Sequence, residues 1–276
     1  MSGGRTEEYE DCFLAYLDIM GFKDKVKETE TKPRELETLI EALKINTKFT
    51  QSDGKKTTSS GTLEIRSFFF SDSFLFTMKA EDENLPHLFL IIRYLQDRLW
   101  EHKLCLRGTV VKGNMYWPKP MENIILGPAM IEAYKLESEV AIYPRIVVSE
   151  NLYRYIKDKR IPAYPLSEDG ELKEFIKKDK DGVYFFDILN PNILRKKGEK
   201  IITRENMIDN DTKFVKSFSI TWNPSEVSSY KNIISAVKKI VRDGKRNQNP
   251  AVKQKYGWLS SYLEECRKRR GAGNGR

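Results

Sequence analysis

Residues 13–17, Phe-Leu-Ala-Tyr-Leu, form an apolar run that stops at an acid, Asp18, before Ile19-Met20-Gly21-Phe22 and a charged stretch. This pattern predicts a buried strand with a carboxylate at its exit. From residue 35 to 49, Leu36, Leu39, Ile40, Leu43 and Phe49 recur at spacings of three to six, an amphipathic helix that starts near Pro33. A polar turn region, 51–61, separates it from two strand-like runs, 63–70 and 74–78. Only Ser71-Asp72-Ser73 lies between those runs, so they read as a hairpin with Asp72 at its tip.

Residues 85–100 put Leu88, Ile91, Ile92, Leu95 and Leu99 on one helical face. Next come a strand at 104–111, a partner strand at 113–117, a helix at 127–137 and a strand at 145–149. Strand, helix, hairpin, helix, strand is the βαββαβ plan of a ferredoxin-like α+β palm. The run Lys177-Lys178-Asp179-Lys180-Asp181-Gly182 reads as a solvated turn before a strand at 183–188. From about residue 190 the composition shifts to Lys, Asn and Ser, with helical patterns at 230–241 and 256–263. The chain therefore divides into a catalytic-type domain at 10–190 and a helical C-terminal appendage with a basic tail at 191–276.

Composition narrows the classes. In 276 residues, 39% are hydrophobic and 32% charged, with 14 Phe, 13 Tyr and 4 Trp, enough for a sizeable core and too aromatic for a disordered chain. No apolar run approaches the ~18–20 residues of a membrane helix, and residues 1–11 are acidic and Gly-rich rather than signal-like, so a cytoplasmic protein without membrane attachment is expected. Three widely spaced Cys and two His support neither a disulfide framework nor a zinc site. The net charge of +8 is concentrated after residue 231, ending in the basic run 267–270. Such a run reads as a solvated tail rather than a nucleic-acid site, although the surplus suits a partner carrying phosphates.

Asp18 leaves a strand, Asp72 tips a hairpin, and in a βαββαβ sheet the first strand lies beside that hairpin. The two acids can therefore converge as oxygen ligands for Mg²⁺ or Mn²⁺. Their alternative reading is as two turn residues, since Asp favours turns. Further candidates for phosphate contact are Arg107, Lys112 and one of Lys177, Lys178 or Lys180, each also readable as a surface charge.

Asp18-Ile19-Met20-Gly21-Phe22 resembles the opening D-I-x-G-F of class III nucleotidyl cyclases, and Ser71-Asp72-Ser73 resembles their second metal-binding hairpin. Residues 127–137, Gly-Pro-Ala-Met-Ile-Glu-Ala-Tyr-Lys-Leu-Glu, are similar to the family's G-x-A-V-N-x-A-A-R-L-E helix, and 144–149 look like the strand after it. The resemblance covers about residues 12–190. It implies two Mn²⁺ or Mg²⁺ ions on Asp18, Asp72 and the Ile19 carbonyl. It also implies a triphosphate cradle around Gly21 and Phe22, and a homodimer in which one subunit supplies the acids and the other Lys135. Lys135 and Arg107 are the candidate catalytic cations.

The departures point to a substrate. Ile131 stands where the family has a ribose-positioning Asn, and Lys135 where it has an Arg; Lys keeps the charge but loses the bidentate fork. Phe68 and Ile124 stand where adenylate cyclases have the Lys and Asp that read adenine. Together with Lys255-Tyr256-Gly257-Trp258-Leu259, this looks like the cyclases of bacterial Pycsar anti-phage systems. That resemblance implies UTP, then CTP, as substrate and an effector protein that senses the cyclic product. The rival readings are a non-catalytic nucleotide-binding module, a purine cyclase, and a nucleic-acid binder using the basic tail; the last is the least favoured.

Overall fold

The computed structural model describes residues 8–43, 50–51, 63–116, 124–193, 200–204, 217–221 and 230–273. The strands are β1 (Tyr9–Ile19), β2 (Thr50–Gln51), β3 (Leu63–Phe70), β4 (Ser73–Lys79), β5 (Leu106–Tyr116), β6 (Ile146–Val148), β7 (Ile176–Lys178), β8 (Tyr184–Phe186), β9 (Lys200–Arg204) and β10 (Ser217–Thr221). The helices are α1 (Phe22–Thr31), α2 (Pro33–Leu43), α3 (Asn84–Glu101), α4 (Pro128–Glu139), α5 (Glu150–Lys159), α6 (Tyr230–Lys245) and α7 (Pro250–Gly273). The fold is mixed α+β. The strands lie in the order β2-β10-β9-β3-β4-β1-β5-β6-β8-β7. Its centre, β3-β4-β1-β5, is the βαββαβ palm, with β1 antiparallel to both β4 and β5.

Side chains along a strand alternate between faces, and β1 shows what that alternation does here. Phe13, Ala15, Leu17 and Ile19 join the main core with Leu85, Leu88, Ile92, Leu95 and Leu99 of α3. Cys12 and Leu14 point the other way, into a second cluster with Val111 and Met115 of β5 and Ala129 and Ala133 of α4. Each fully buried aliphatic or aromatic side chain contributes roughly 1.5–3 kcal/mol. The small residues at 129 and 133 let α4 lie close on the sheet. Gly127 makes the approach possible: a Cβ there would stand 2.5 Å from the Asn114 carbonyl oxygen and 2.7 Å from Met115 Cα.

Three expectations are corrected. The segments 104–111 and 113–117 are not two partnered strands: β5 runs unbroken to Tyr116, paired with β1 throughout from Tyr9–Tyr116 to Ile19–Leu106. Gly113 does not turn the chain but sits beneath Ala129, 3.3 Å from its Cβ if it bore one itself. The turn at 177–182 is not merely solvated, because Asp181 and Asp179 hold the buried Arg145, Asp181 with contacts of 3.1 and 2.5 Å. Nor is the basic run 267–270 simply a tail, since Arg269 reaches back to Asp187 at 2.5 and 3.1 Å.

The helix expected at 35–49 spans Pro33–Leu43, and Phe49 and most of the polar region 51–61 lie outside the described residues. Ile233, Val237 and Ile240 of α6 and Leu259, Tyr262 and Leu263 of α7 belong to the same core as α3. Among the described residues, no helix is long and apolar enough to cross a membrane.

Candidate active site

Asp18 lies one residue before the end of β1, opposite Ser73 of β4 and Arg107 of β5. It shares its face with Leu14, so it points to the α4 side of the sheet. The two-residue turn Ser71-Asp72 joins β3 to β4, with Ser71 in the left-handed region at φ 56°. The Asp72 carbonyl accepts the Ile19 N–H at 3.0 Å, which ties the hairpin tip to the exit of β1. The Asp72 carboxylate is near enough to help push the Asp18 carboxyl up. The structure thus brings together the two acids that the sequence singled out.

Arg107 is beside them, with each of its nitrogens engaged. Its Nε donates to Asp18 at 2.8 Å, Nη2 pairs with Glu137 at 2.7 Å and Nη1 reaches the Ala141 carbonyl at 3.4 Å. Glu137 is a site residue that the sequence reading quoted within a motif but did not single out. The available signal was its spacing of four and eight from Ala133 and Ala129, which turns it to the inner face of α4. Two carboxylates, Asp18 and Glu137, therefore share one guanidinium.

Burial pushes the Asp18 carboxyl above the ordinary range; Arg107 opposes this and Asp72 adds to it. Glu137 is raised for the same first reason, burial, with Arg107 and Lys255 pulling it down and Asp18 and Asp72 pushing it up.

The donor set fits a hard divalent cation. Among the described residues there is no cluster of three His, Cys, Asp or Glu forming a cage. Mg²⁺ commonly binds through one or two carboxylates plus substrate phosphates and water, and Asp18 and Asp72 supply such a pair.

Directly after β1, Gly21 adopts φ 74° and caps α1 without a side-chain hydrogen bond. A left-handed φ is available to Gly without steric cost. The Met20 N–H is fixed on the Cys105 carbonyl at 2.9 Å. The first N–H groups of α1, at Phe22, Lys23 and Asp24, have no partner within the helix and form an anion-accepting end next to the acids. The Phe22 ring itself is buried in the main core and anchors that turn.

The remaining predicted residues are distributed differently. Lys135 lies on the exposed face of α4. Phe68 is half-buried and packs on the second cluster. Ile124 is exposed, two residues before Leu126, whose carbonyl accepts the Tyr116 N–H at 2.7 Å. Tyr116 pairs with Tyr9, at the far end of β1 from Asp18. At ~3.4 Å per residue, the nine residues from Tyr9 to Asp18 span roughly 30 Å. Ile124 and the acids of one chain therefore do not share a pocket.

Lys112 pairs with Asp11 rather than with the site. Lys177 pairs with Glu265, Lys178 lies over the Tyr184 ring at 5.2 Å, and Lys180 is exposed.

No protein-family model and no curated protein matches the chain. Solved structures similar to it include the monomeric guanylyl cyclase domain of the RhoGC fusion protein from the aquatic fungus Blastocladiella emersonii. That domain is 18% identical, with a TM-score of 0.39, over 66% of this chain and 98% of the domain. The catalytic core of a rhodopsin-guanylyl cyclase with converted specificity, in complex with ATPalphaS, is 18% identical over 65% of this chain and 97% of its own, with a TM-score of 0.35. An adenylate/guanylate cyclase/hydrolase from Silicibacter pomeroyi is 17% identical over 65% and 97%, also at a TM-score of 0.35. Similarity at this level assigns no activity.

Proposed function

We propose that this chain is a metal-dependent nucleotidyl cyclase that converts a pyrimidine triphosphate, UTP before CTP, to its 3′,5′-cyclic monophosphate and pyrophosphate. The observation that carries the reading is the meeting of Asp18 and Asp72, side by side at the exit of β1 and next to the open N–H groups of α1. Asp18, Asp72 and the Ile19 carbonyl would hold two Mn²⁺ or Mg²⁺ ions, which when bound lower the pKa of the ribose 3′-hydroxyl and neutralise the leaving pyrophosphate. The chain's own groups do the rest. The N–H groups of Phe22 and Lys23 donate to phosphate oxygens, and Gly21 lets the backbone turn tightly beneath them. Arg107, held on Asp18 and Glu137, keeps the Asp18 carboxylate oriented. In the reaction the 3′-hydroxyl gives its proton to water and its oxygen bonds to the α-phosphorus, as the bond from that phosphorus to the oxygen bridging to the β-phosphate breaks and pyrophosphate leaves.

The site is completed by a second copy of the chain. With Ile124 roughly 30 Å from Asp18 in one chain, Ile124 reaches an acid pair only across two subunits. The surface available for that contact is apolar: Phe70 is 84%, Ile131 74% and Tyr134 59% exposed. Large exposed apolar side chains favour association. Lys135 from the second copy then stands in for the transition-state Arg of the resembling family.

Phe68 and Ile124 leave the edge nitrogens of a purine unpaired, at ~1–3 kcal/mol per group. UTP or CTP is expected to turn over about 10–100-fold better than ATP or GTP. The test is incubation with each ribonucleotide and Mn²⁺, followed by chromatography of the products. Equal or faster cyclisation of a purine refutes the pyrimidine assignment, and no turnover of any nucleotide refutes the enzyme. In the second case the alternative is a non-catalytic nucleotide-binding module, favoured by the Lys at 135 and by Arg107 resting on Asp18. The Pycsar resemblance adds a role in bacterial anti-phage defence, with the cyclic product read by an effector protein.

A further inference from the structure

Glu137 is an acid on the buried side of a helix whose inner positions are otherwise small. Ala129, Ala133 and Glu137 follow one another at a spacing of four along α4, which keeps them on one face, and all three are buried. The Glu137 side chain is only 8% exposed, and it pairs with Arg107 Nη2 at 2.7 Å. One turn further on, the Ala141 carbonyl accepts Arg107 Nη1 at 3.4 Å. Both acceptors sit at the C-terminal end of α4, where the negative end of the helix dipole favours a cation.

Arg107 reaches this end of α4 from β5, where it stands directly opposite Asp18 of β1. Its contact to Asp18 is made by Nε, at 2.8 Å from Oδ2. The guanidinium is therefore held at three points, one on a carboxylate assigned to the metal and two on α4. A divalent cation arriving at Asp18 contests Oδ2 with a group of its own sign, and like charges placed together repel. The end of α4 provides for this encounter: Arg107 can give up the bond from Nε and keep those from Nη1 and Nη2, with its charge still balanced by Glu137.

We propose that Arg107 holds the cation position at Asp18 until a divalent ion takes it, and that Glu137 is the positioning residue that retains and neutralises the displaced guanidinium. The assignment rests on the metal reading of Asp18 and Asp72 above. Removing Glu137 then has a definite direction: Arg107 leans wholly on Asp18, and its unbalanced charge faces the incoming ion. Removing Arg107 has the opposite direction, since Asp18 is vacated and Glu137 adds an unbalanced negative charge nearby. A pair that merely braces α4 against β5 predicts the same sign for both.

The test titrates the full chain with Mn²⁺, without nucleotide, and reads the free ion by electron paramagnetic resonance. Melting temperature is followed with and without the ion. Glu137→Gln is expected to weaken Mn²⁺ binding about tenfold and Arg107→Met to tighten it about threefold. The double variant Arg107→Met with Glu137→Gln removes both charges and is expected to bind within about threefold of the wild type. Glu137→Asp keeps the charge and is expected to lie between Glu137→Gln and the wild type. If Glu137→Gln does not fold by itself, the double variant and Glu137→Asp decide.

Unchanged Mn²⁺ affinity in Glu137→Gln overturns the proposal. So does a loss of affinity in Arg107→Met, a loss of about tenfold or more in the double variant, or a wild type that binds no Mn²⁺. If Mn²⁺ binds with the expected pattern but no nucleotide is turned over, the cyclase reading falls and the roles of Arg107 and Glu137 stand. Turnover of a nucleotide with Mn²⁺ affinity unmoved by Glu137→Gln keeps the cyclase reading and removes those roles.

Discussion

Asp187 is fully buried just beyond β8, and the basic residue that neutralises it comes from near the end of α7. Oδ1 of Asp187 accepts the Tyr262 hydroxyl at 2.6 Å and Arg269 Nη2 at 3.1 Å; Oδ2 accepts Arg269 Nη1 at 2.5 Å and Asn190 Nδ2 at 3.3 Å. Arg269→Met removes the fork and leaves a buried carboxylate with one hydroxyl and one amide. Breaking a buried pair from one side costs ~3–5 kcal/mol. The Arg269 side chain is 34% exposed, so water screens part of that interaction. The expected loss is about 2–3 kcal/mol once screening is included. At ~2–4 °C per kcal/mol for a domain approaching this size, the melting temperature should fall by about 4–12 °C.

The assay is thermal unfolding followed by circular dichroism, with Arg267→Ala as the control. Arg267 is exposed, so its removal should leave melting unchanged. Adding Asp187→Asn to Arg269→Met should recover part of the loss, because the orphaned charge is gone. Melting of Arg269→Met within ~1 °C of the control would refute the reasoning and return the residue to a solvated tail.

Asp18→Ala and Asp72→Ala should each abolish turnover while leaving the circular dichroism spectrum unchanged; near-normal rates with Mn²⁺ would rule out these acids as ligands. Because burial raises the Asp18 carboxyl in the folded state, folding favours its protonated form, and the stability this lends is lost as pH rises through the folded pKa. Asp18→Asn should therefore gain in melting temperature relative to wild type as pH rises from ~4 to ~8; a gap that is constant or narrows over that range contradicts the burial argument. Mixing Asp72→Ala with Lys135→Ala chains should restore part of the activity, since one site of each heterodimer keeps both groups. No recovery, with subunit exchange demonstrated, would mean that each site is contained within one chain.

What the sequence determined by itself is what repeats locally. The run at 13–17 with Asp18 behind it, the two aromatic runs around Ser71-Asp72-Ser73 and the one-sided Leu/Ile face of α3 are all contiguous patterns, and each became the element expected of it. Such patterns reflect which side of an element faces the core, a property of the nearest few residues. Where the pattern is weak the element went unseen. The first helix, Phe-Lys-Asp-Lys-Val-Lys-Glu-Thr-Glu-Thr, has only Phe22 and Val26 as apolar residues and shows no helical period. The helix after β6 is recognisable by its Ser149 cap, which accepts the Leu152 N–H at 3.3 Å, more than by its composition.

Gly113 looks like a break in the sequence, yet β5 passes straight through it because α4 needs the space a side chain would fill. Only the tertiary structure decided which charges meet. Arg107 and Asp18 are 89 residues apart, Arg269 and Asp187 82, Arg145 and Asp181 36. A lone Arg in a sequence reads equally as surface charge, ligand or counter-ion. The choice depends on which carboxylate the fold buries beside it, because an unpaired charge in the interior is too costly to leave.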